Sequence, residues 1–316
     1  MTRFQNTSQI LNRPYRGDED FWRVRRLILE TVATTQLDFN WDLRRWDGWR
    51  FYSPDSACNH RRPSRAQLWE TETGHLVGAA LSEGPGDLHL QLDPGFRELE
   101  EEMLTWAEEN LSTTSDDGKT RTLLIMVFDY DTRRLELIRK RGFEITEMGG
   151  NSRRLRFGEQ SLPERRDLPA GYRMRNTRPG DADNQRLADL LNTAFKRDFH
   201  VAAESATFAG HAPCFRRELD LVAEAPDGSF GSYVGCAWDG VNKRGIFEPV
   251  CTHPEHLRLG LAQTLMFETI HRLADLGAVD ITVGTGTAEA ANGLYDSIGF
   301  TEVSRGRYWR KLMPAN

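Results

Sequence analysis

Long hydrophobic runs are missing from this sequence. Its apolar stretches last only a few residues, as in Val77-Gly78-Ala79-Ala80-Leu81, whereas a membrane helix needs about 20. No membrane partner is expected. The stretch from Met1 to Gln9 lacks the apolar h-region of a secretory signal, so a cytoplasmic protein is expected. Cysteine is scarce: Cys58, Cys214, Cys236 and Cys251 are widely spaced, with no C-x-x-C pair. That argues against a zinc ribbon, a thioredoxin-type site and a disulfide framework, and leaves reduced, mostly buried thiols. A basic excess is also absent, since 41 Lys and Arg face 47 Asp and Glu for a net charge of -6. A duplex-binding protein carries a basic stripe. Here His60-Arg61-Arg62 and Arg139-Lys140-Arg141 are short clusters that read as solvated surface. No nucleic-acid partner is expected.

What is present is globular: 39% apolar and 28% charged residues over 316 positions, enough chain for two cores of about 150 residues each. The chain also resembles itself. Arg16-Gly17-Asp18-Glu19-Asp20 precedes an apolar-periodic run from Phe21 to Val32. Arg178-Pro179-Gly180-Asp181-Ala182-Asp183 precedes a like run from Leu187 to Phe195. Each reads as a loop feeding a helix with acids at its positive end. Strand-like Leu88–Leu92 ends at Pro94, as Ile246–Thr252 ends at Pro254, and Gly142-Phe143 matches Gly299-Phe300. The paired landmarks are 163, 160 and 157 residues apart. Three in register point to one duplicated α/β unit. The polar, two-proline stretch at 158–170 then reads as a linker between an N-terminal domain at 1–157 and a C-terminal domain at 171–316.

In the second half, periodicity predicts helices over Arg186–Phe195, Leu259–Leu276 and Thr287–Ser297, with Thr287 as N-cap and Gly277 and Gly299 as terminators. Strands are expected at Tyr233–Trp238, Gly245–Cys251, Val279–Val283 and Glu302–Leu312, and partly within Phe215–Glu224. The alternation implies a mixed α/β sheet.

The informative stretch runs from His253 to Gln263, between a strand and a helix start. Gly260 and Ala262 remove bulk where a ligand would approach the backbone, and free N–H groups at a helix N-terminus attract anions. It is neither a P-loop nor a Rossmann turn. Glu248-Pro249-Val250, His253-Pro254, Arg258-Leu259-Gly260-Leu261-Ala262 and Asn292-Gly293-Leu294-Tyr295-Asp296-Ser297-Ile298-Gly299-Phe300 together resemble the core of the GNAT N-acetyltransferase superfamily. The family's pyrophosphate loop has a basic or Gln residue where this chain has Leu257, and Arg258 stands beside it. The resemblance implies two tandem GNAT folds, each a mixed, mostly antiparallel twisted sheet flanked by helices. The architecture looks like that of mycothiol synthase, another two-copy member.

The resemblance further implies acetyl-CoA as donor substrate and no metal. The pyrophosphate would lie on Leu257, Arg258, Leu259, Gly260, Leu261, Ala262 and Gln263. The pantetheine arm would pair with the strand at Val250 and Cys251, and Asn292 would contact that arm. Tyr295 would protonate the departing thiolate. Glu248 is the candidate base for the acceptor amine. It alternates with Ile246 and Val250 on one strand face, and a plain salt bridge to an arginine is an equal reading. Cys251 beside His253 is rejected as a nucleophile. The pair His253 and His256 lacks a third metal ligand.

In the first half no Gly-x-Ala opens the helix after Pro94. Glu98, Glu100, Glu101 and Glu102 stand there instead, and Ile138 stands where Tyr295 would. That copy is expected not to bind acyl-CoA. The run from Asn40 to Tyr52 holds Trp41, Trp46 and Trp49. It reads either as packing or as an aromatic, acidic wall for a cationic amine. The expected activity is acyl transfer to a primary amine of a small molecule, by a monomer or homodimer. The alternatives are a silent acyl-CoA-binding sensor or a protein N-acetyltransferase.

Overall fold

The computed structural model describes residues 9–38, 41–52, 66–158 and 161–315. Cys58, the His60-Arg61-Arg62 cluster, Asn40, the first eight residues and positions 159–160 of the linker lie outside the described residues. The fold is mixed α/β. In chain order the first half holds β1 (Ile10–Pro14), α1 (Asp18–Thr35), α2 (Leu43–Phe51), β2 (Gln67–Thr71), β3 (Leu76–Leu81) and β4 (Asp87–Leu92). A 3₁₀ turn (Pro94–Leu99) leads to α3 (Glu100–Asn110), β5 (Thr113–Thr114), β6 (Thr120–Phe128), α4 (Thr132–Lys140) and β7 (Glu144–Arg156). The second half runs β8 (Arg173–Asn176), α5 (Asp181–Phe195), α6 (Ala202–His211), β9 (Asp220–Glu224), β10 (Phe230–Asp239) and β11 (Arg244–Thr252). Another 3₁₀ turn (Pro254–His256) precedes α7 (Leu261–Asp275), β12 (Asp280–Thr285), α8 (Glu289–Ile298) and β13 (Glu302–Pro314).

The described residues form two compact units. One takes those within Met1–Asp42, Arg61–Met148 and Gly306–Asn316, the other those within Leu43–His60 and Gly149–Arg305. These do not coincide with the linear segments 1–157 and 171–316, because the last strands are exchanged. In the first unit the neighbours run β1-β2-β3-β4-β6-β13, and β6 pairs with residues 306–314 of β13. In the second they run β7-β12-β11-β10-β9-β8, and β12 pairs with residues 151–156 of β7. Pairing is antiparallel except for β4 with β6 and β11 with β12. Among the described residues no helix is long and apolar enough to cross a membrane.

Each unit has its own core. In the second, Leu261, Leu265, Met266, Ile270 and Leu273 form the buried stripe of α7, following i, i+4 spacing. In the first, Met103, Leu104, Ala107 and Leu111 do the same from α3 and its C-cap. Both units keep one polar device. Asp20 and Asp183 sit in the first turns of α1 and α5, after glycines with φ of 111° and 118°. Asp20 bonds Arg13 at 2.7 Å and Asp183 bonds Arg175 at 2.6 Å, while Glu70 and Glu224 take the other side of each arginine. The N–H groups of Arg16 and Arg178 donate to the same aspartates at 2.7 Å each.

Two boundaries differ from expectation for local reasons. Helix α7 starts at Leu261 because Arg258 and Gly260 take left-handed φ of 65° and 72°. Helix α8 is capped by Ala288, with no side-chain cap bond, so Thr287 is not its N-cap.

Candidate active site

Strand β11 carries the first part of the site. Its parallel register with β12 runs from Arg244 to Phe247 and stops. Beyond that, β11 keeps only its β10 side, where Tyr233 faces Cys251 and Val234 faces Val250. Residues 248–252 therefore have no ladder with β12, although the Glu248 carbonyl accepts from Arg44 at 3.3 Å and the Cys251 carbonyl from Ser232 Oγ at 2.8 Å, and an extended ligand can pair with the remainder of such an edge. The register shifts between Val234 and Cys236, so that Gly235 stands opposite both Glu248 and Pro249. This β-bulge resets the alternation. Phe247 and Val250 face the core under α7, while Cys251 joins the cluster under α5. Glu248 thus shares its face with Ile246 but not with Val250, which corrects the simple period-2 expectation.

The turn after β11 carries the second part. His253 caps the 3₁₀ turn, accepting from the Glu255 N–H at 3.3 Å. Leu257, Arg258, Leu259 and Gly260 are all exposed. The left-handed φ of Gly260 suits glycine, and no side chain caps α7 and no acid lies in its first turn. The N–H groups of Leu261, Ala262 and Gln263 thus open an electropositive helix end. The Gln263 side chain is held away by Arg166 and Ser297, at 3.0 Å each.

Helix α8 supplies the third part. Tyr295 is buried against Phe300 at 5.8 Å between rings. Burial pushes its hydroxyl pKa up to about 12, against the pull of Arg153, while nearby Cys251 adds to the rise. Asn292 is fully engaged inside the protein. Its Nδ2 donates to the carbonyls of Gly286 and Ala288 at 3.0 and 2.8 Å. Its Oδ1 accepts from Asn151 and Arg153 at 3.0 Å each. Arg153, on β7, also bonds Asp296 at 2.5 Å. Asn292 therefore positions α8 rather than presenting a free amide to a ligand. Cys251 is buried and its thiol is pushed up to about 12, which keeps it neutral and agrees with its rejection as a nucleophile.

The sequence allows Glu248 an arginine partner, and the structure supplies one that sequence reasoning did not identify. Arg44 on α2 is buried, donates to the Glu248 carbonyl at 3.3 Å, and stands 3.9 Å from the Glu248 carboxylate. Its guanidinium also bonds the Tyr52 hydroxyl and lies 4.8 Å from the centroid of Phe208. Burial works against its charge, but Tyr52 and Glu248 outweigh it and raise its pKa. Deeper, the Tyr233 hydroxyl donates to buried Asp220 at 2.5 Å, and burial raises both of their pKa values. Nothing local announces a partner 204 residues away. Of the tryptophan-rich run, Trp46 and Trp49 stack at 4.9 Å as buried packing, and Asp47 accepts from the Cys214 N–H. The charge that this run brings to Glu248 is a guanidinium, not an acid.

With this geometry described, comparison with known proteins is informative. Residues 234–310, about a quarter of the chain, match the family described as FR47-like protein. Among solved structures, a GCN5-related N-acetyltransferase from Sphaerobacter thermophilus superposes with a TM-score of 0.62 at 18% identity, over 96% of this chain and 95% of that one. A tandem GNAT protein from the clavulanic acid biosynthesis pathway gives 0.63 at 15% identity, over 98% and 99%. The fold is that of the GNAT N-acetyltransferases. A GNAT-family acetyltransferase from Colwellia psychrerythraea superposes similarly, at 0.60 and 12% identity over 96% and 100%. No curated protein matches the sequence. Within the GNAT fold, the opened edge of β11 and the uncapped start of α7 adjoin one another in the second unit.

Proposed function

We propose that the chain is an acyl-CoA-dependent N-acyltransferase that acetylates a primary amine of a small molecule. One observation carries this reading. The edge at 248–252, which has no ladder with β12, leads through the turn at 253–256 into a left-handed, acid-free helix start at 257–263. That combination suits a donor with an extended amide-bearing arm and a pyrophosphate. Val250 and Cys251 would pair with the arm, and Leu257, Arg258, Leu259, Gly260, Leu261, Ala262 and Gln263 would hold the phosphates. Asn292 acts through α8.

Acetyl-CoA supplies an activated thioester carbonyl, to which the amine forms its C–N bond as the C–S bond breaks. Glu248 is 45% exposed and takes the proton released by the amine, directly or through water. Arg44 fixes the strand carbonyl and balances the Glu248 charge. Tyr295, kept protonated by burial, gives its proton to the thiolate. Thiol release from acetyl-CoA in the presence of a panel of amines tests the reading. Turnover with at least one amine, lost in Gly260→Glu, supports it. Binding of acetyl-CoA without turnover on any amine would favour a silent sensor.

A further inference from the structure

The stretch at 161–168, part of the expected linker, has no helix or strand of its own, yet it is fixed along α7. The Pro163 carbonyl accepts from His271 Nε2 at 2.7 Å, Arg165 pairs with Glu268 at 2.9 Å, and Arg166 Nη1 donates to Gln263 Oε1 at 3.0 Å. His271, Glu268 and Gln263 step back toward the helix start. The stretch is therefore a strap that runs antiparallel to α7 and brings Arg166 to its first turn.

The second observation is the charge of Arg166. Its neighbours Arg165 and Arg173 are neutralised by Glu268 and Glu224. Among the described residues no carboxylate does this for Arg166. Its guanidinium rests on the neutral Gln263 amide and over the Phe267 ring, 5.2 Å from the centroid, and its side chain is exposed. A guanidinium held by two neutral groups keeps its charge for a further partner. Gln263 in turn donates to Ser297 Oγ on α8 at 3.0 Å, so a polar row runs from the strap to α8 beside the open N–H groups. The turn itself is poor in cations. From His253 to Gln263 there is one arginine, Arg258, and one acid, Glu255, which cancel with the histidines neutral.

We propose that Arg166 is a phosphate-binding residue of the donor site, contributed by the strap to the first turn of α7. The proposal rests on the acyl-CoA reading above. A donor with several phosphate charges needs more positive charge than residues 253–263 carry. Arg166 supplies it through the planar fork of its guanidinium, which matches phosphate oxygens with paired, charge-assisted hydrogen bonds. The contacts at Pro163 and Arg165 limit where the fork can go, so part of the ordering cost is met before the donor arrives.

Calorimetric titration of acetyl-CoA into the full chain and its variants tests the proposal. Arg166→Gln should raise Kd about tenfold and flatten its salt dependence, because a screened attraction is lost. Arg166→Lys should recover most of the affinity and the salt dependence. Arg165→Gln removes a neighbouring cation that Glu268 already neutralises, and should leave Kd within about twofold of the parent. It loosens the strap but spares the Arg166 charge, so it separates phosphate binding from a purely structural role. Acetyl-dephospho-CoA locates the contact. A loss in Arg166→Gln seen only with acetyl-CoA assigns the 3′-phosphate, and a loss with both donors assigns the pyrophosphate. Equal affinity in the parent and Arg166→Gln, or an equal loss in Arg165→Gln, would overturn the proposal and leave the acyl-CoA reading intact. A parent chain that binds no acetyl-CoA would overturn both.

Discussion

The helix starts at α3 and α7 follow equivalent strands and turns, yet their chemistry is opposite. Before α7, two left-handed residues and the absence of acids leave backbone N–H groups open. At α3, Glu100 is fully buried in the first turn. It takes Arg134 at 2.7 Å and Arg97 at 2.9 Å, and Arg97 also bonds Asp131 at 2.6 Å. A carboxylate with its own arginines thus occupies the electropositive end that an anion would seek. Ile138 is buried in the core where the other unit has Tyr295, although Phe143 and Phe300 donate their N–H groups back to Ile138 and Tyr295 alike, at 3.0 and 3.1 Å. The frame and the Arg–Asp–Glu clusters are common to both units, and the groups at the two helix starts are not. Under the proposed function, duplication with loss at one site would account for that pattern, because structural groups support folding in both copies while one donor site suffices.

The comparison can be broken at several points. The largest expected effect is on stability. Arg134→Met strips Glu100 of its main partner and should cost about 3 kcal/mol, since an uncompensated buried charge is left and Arg97 relieves it only in part. Urea unfolding measures this, and acetyl-CoA affinity should be unchanged. Next, Gly260→Glu imposes on α7 what α3 has, a carboxylate at the helix start on a left-handed residue. Acetyl-CoA affinity should fall about 100-fold, from strain and like charge together, as read by calorimetry. Tyr295→Phe should lower kcat about tenfold, below the usual range for proton transfer because a thiolate leaves readily. With a pKa of about 12, the wild-type hydroxyl stays protonated across the ordinary assay range. An alkaline fall in the rate below that value would belong to another group.

The smallest effect concerns what the units share. Burial pulls the pKa values of Asp20 and Asp183 up, but their arginines and backbone N–H groups outweigh it, and both lie below the 3.8 of an unfolded aspartate. Their stabilisation is therefore complete above about pH 4 and disappears as pH falls through the lower folded-state values. Asp20→Asn and Asp183→Asn should each cost about 1 kcal/mol at neutral pH and flatten the acid limb of stability. Unequal effects would show that the two clusters are not equivalent.

Much of this was legible in the sequence. The stripe of α7, the strand from Gly245 to Cys251 and the glycines that end α7 and α8 follow from local periodicity and backbone preference. The acidic start of α3 was legible too, although the fact that Glu100 alone turns inward required its arginines. What was hidden is non-local. A strand pattern states that β7 and β13 exist but not which sheet each completes, so the exchange between units could not be read. The bulge at Glu248 and Pro249 breaks period 2 through a partner strand. Arg44 reaches Glu248 only because α2 packs in the second unit. Asn292 is expected from the sequence to contact a ligand arm, but its amide points inward to Asn151 and Arg153 and to the carbonyls of Gly286 and Ala288.

Calorimetric titration of acetyl-CoA into the intact chain tests the central claim most directly. One site per chain, lost in Gly260→Glu and retained in Arg134→Met, is the predicted result. Two equivalent sites, or a single site that survives Gly260→Glu, would contradict the assignment of the donor site to the second unit.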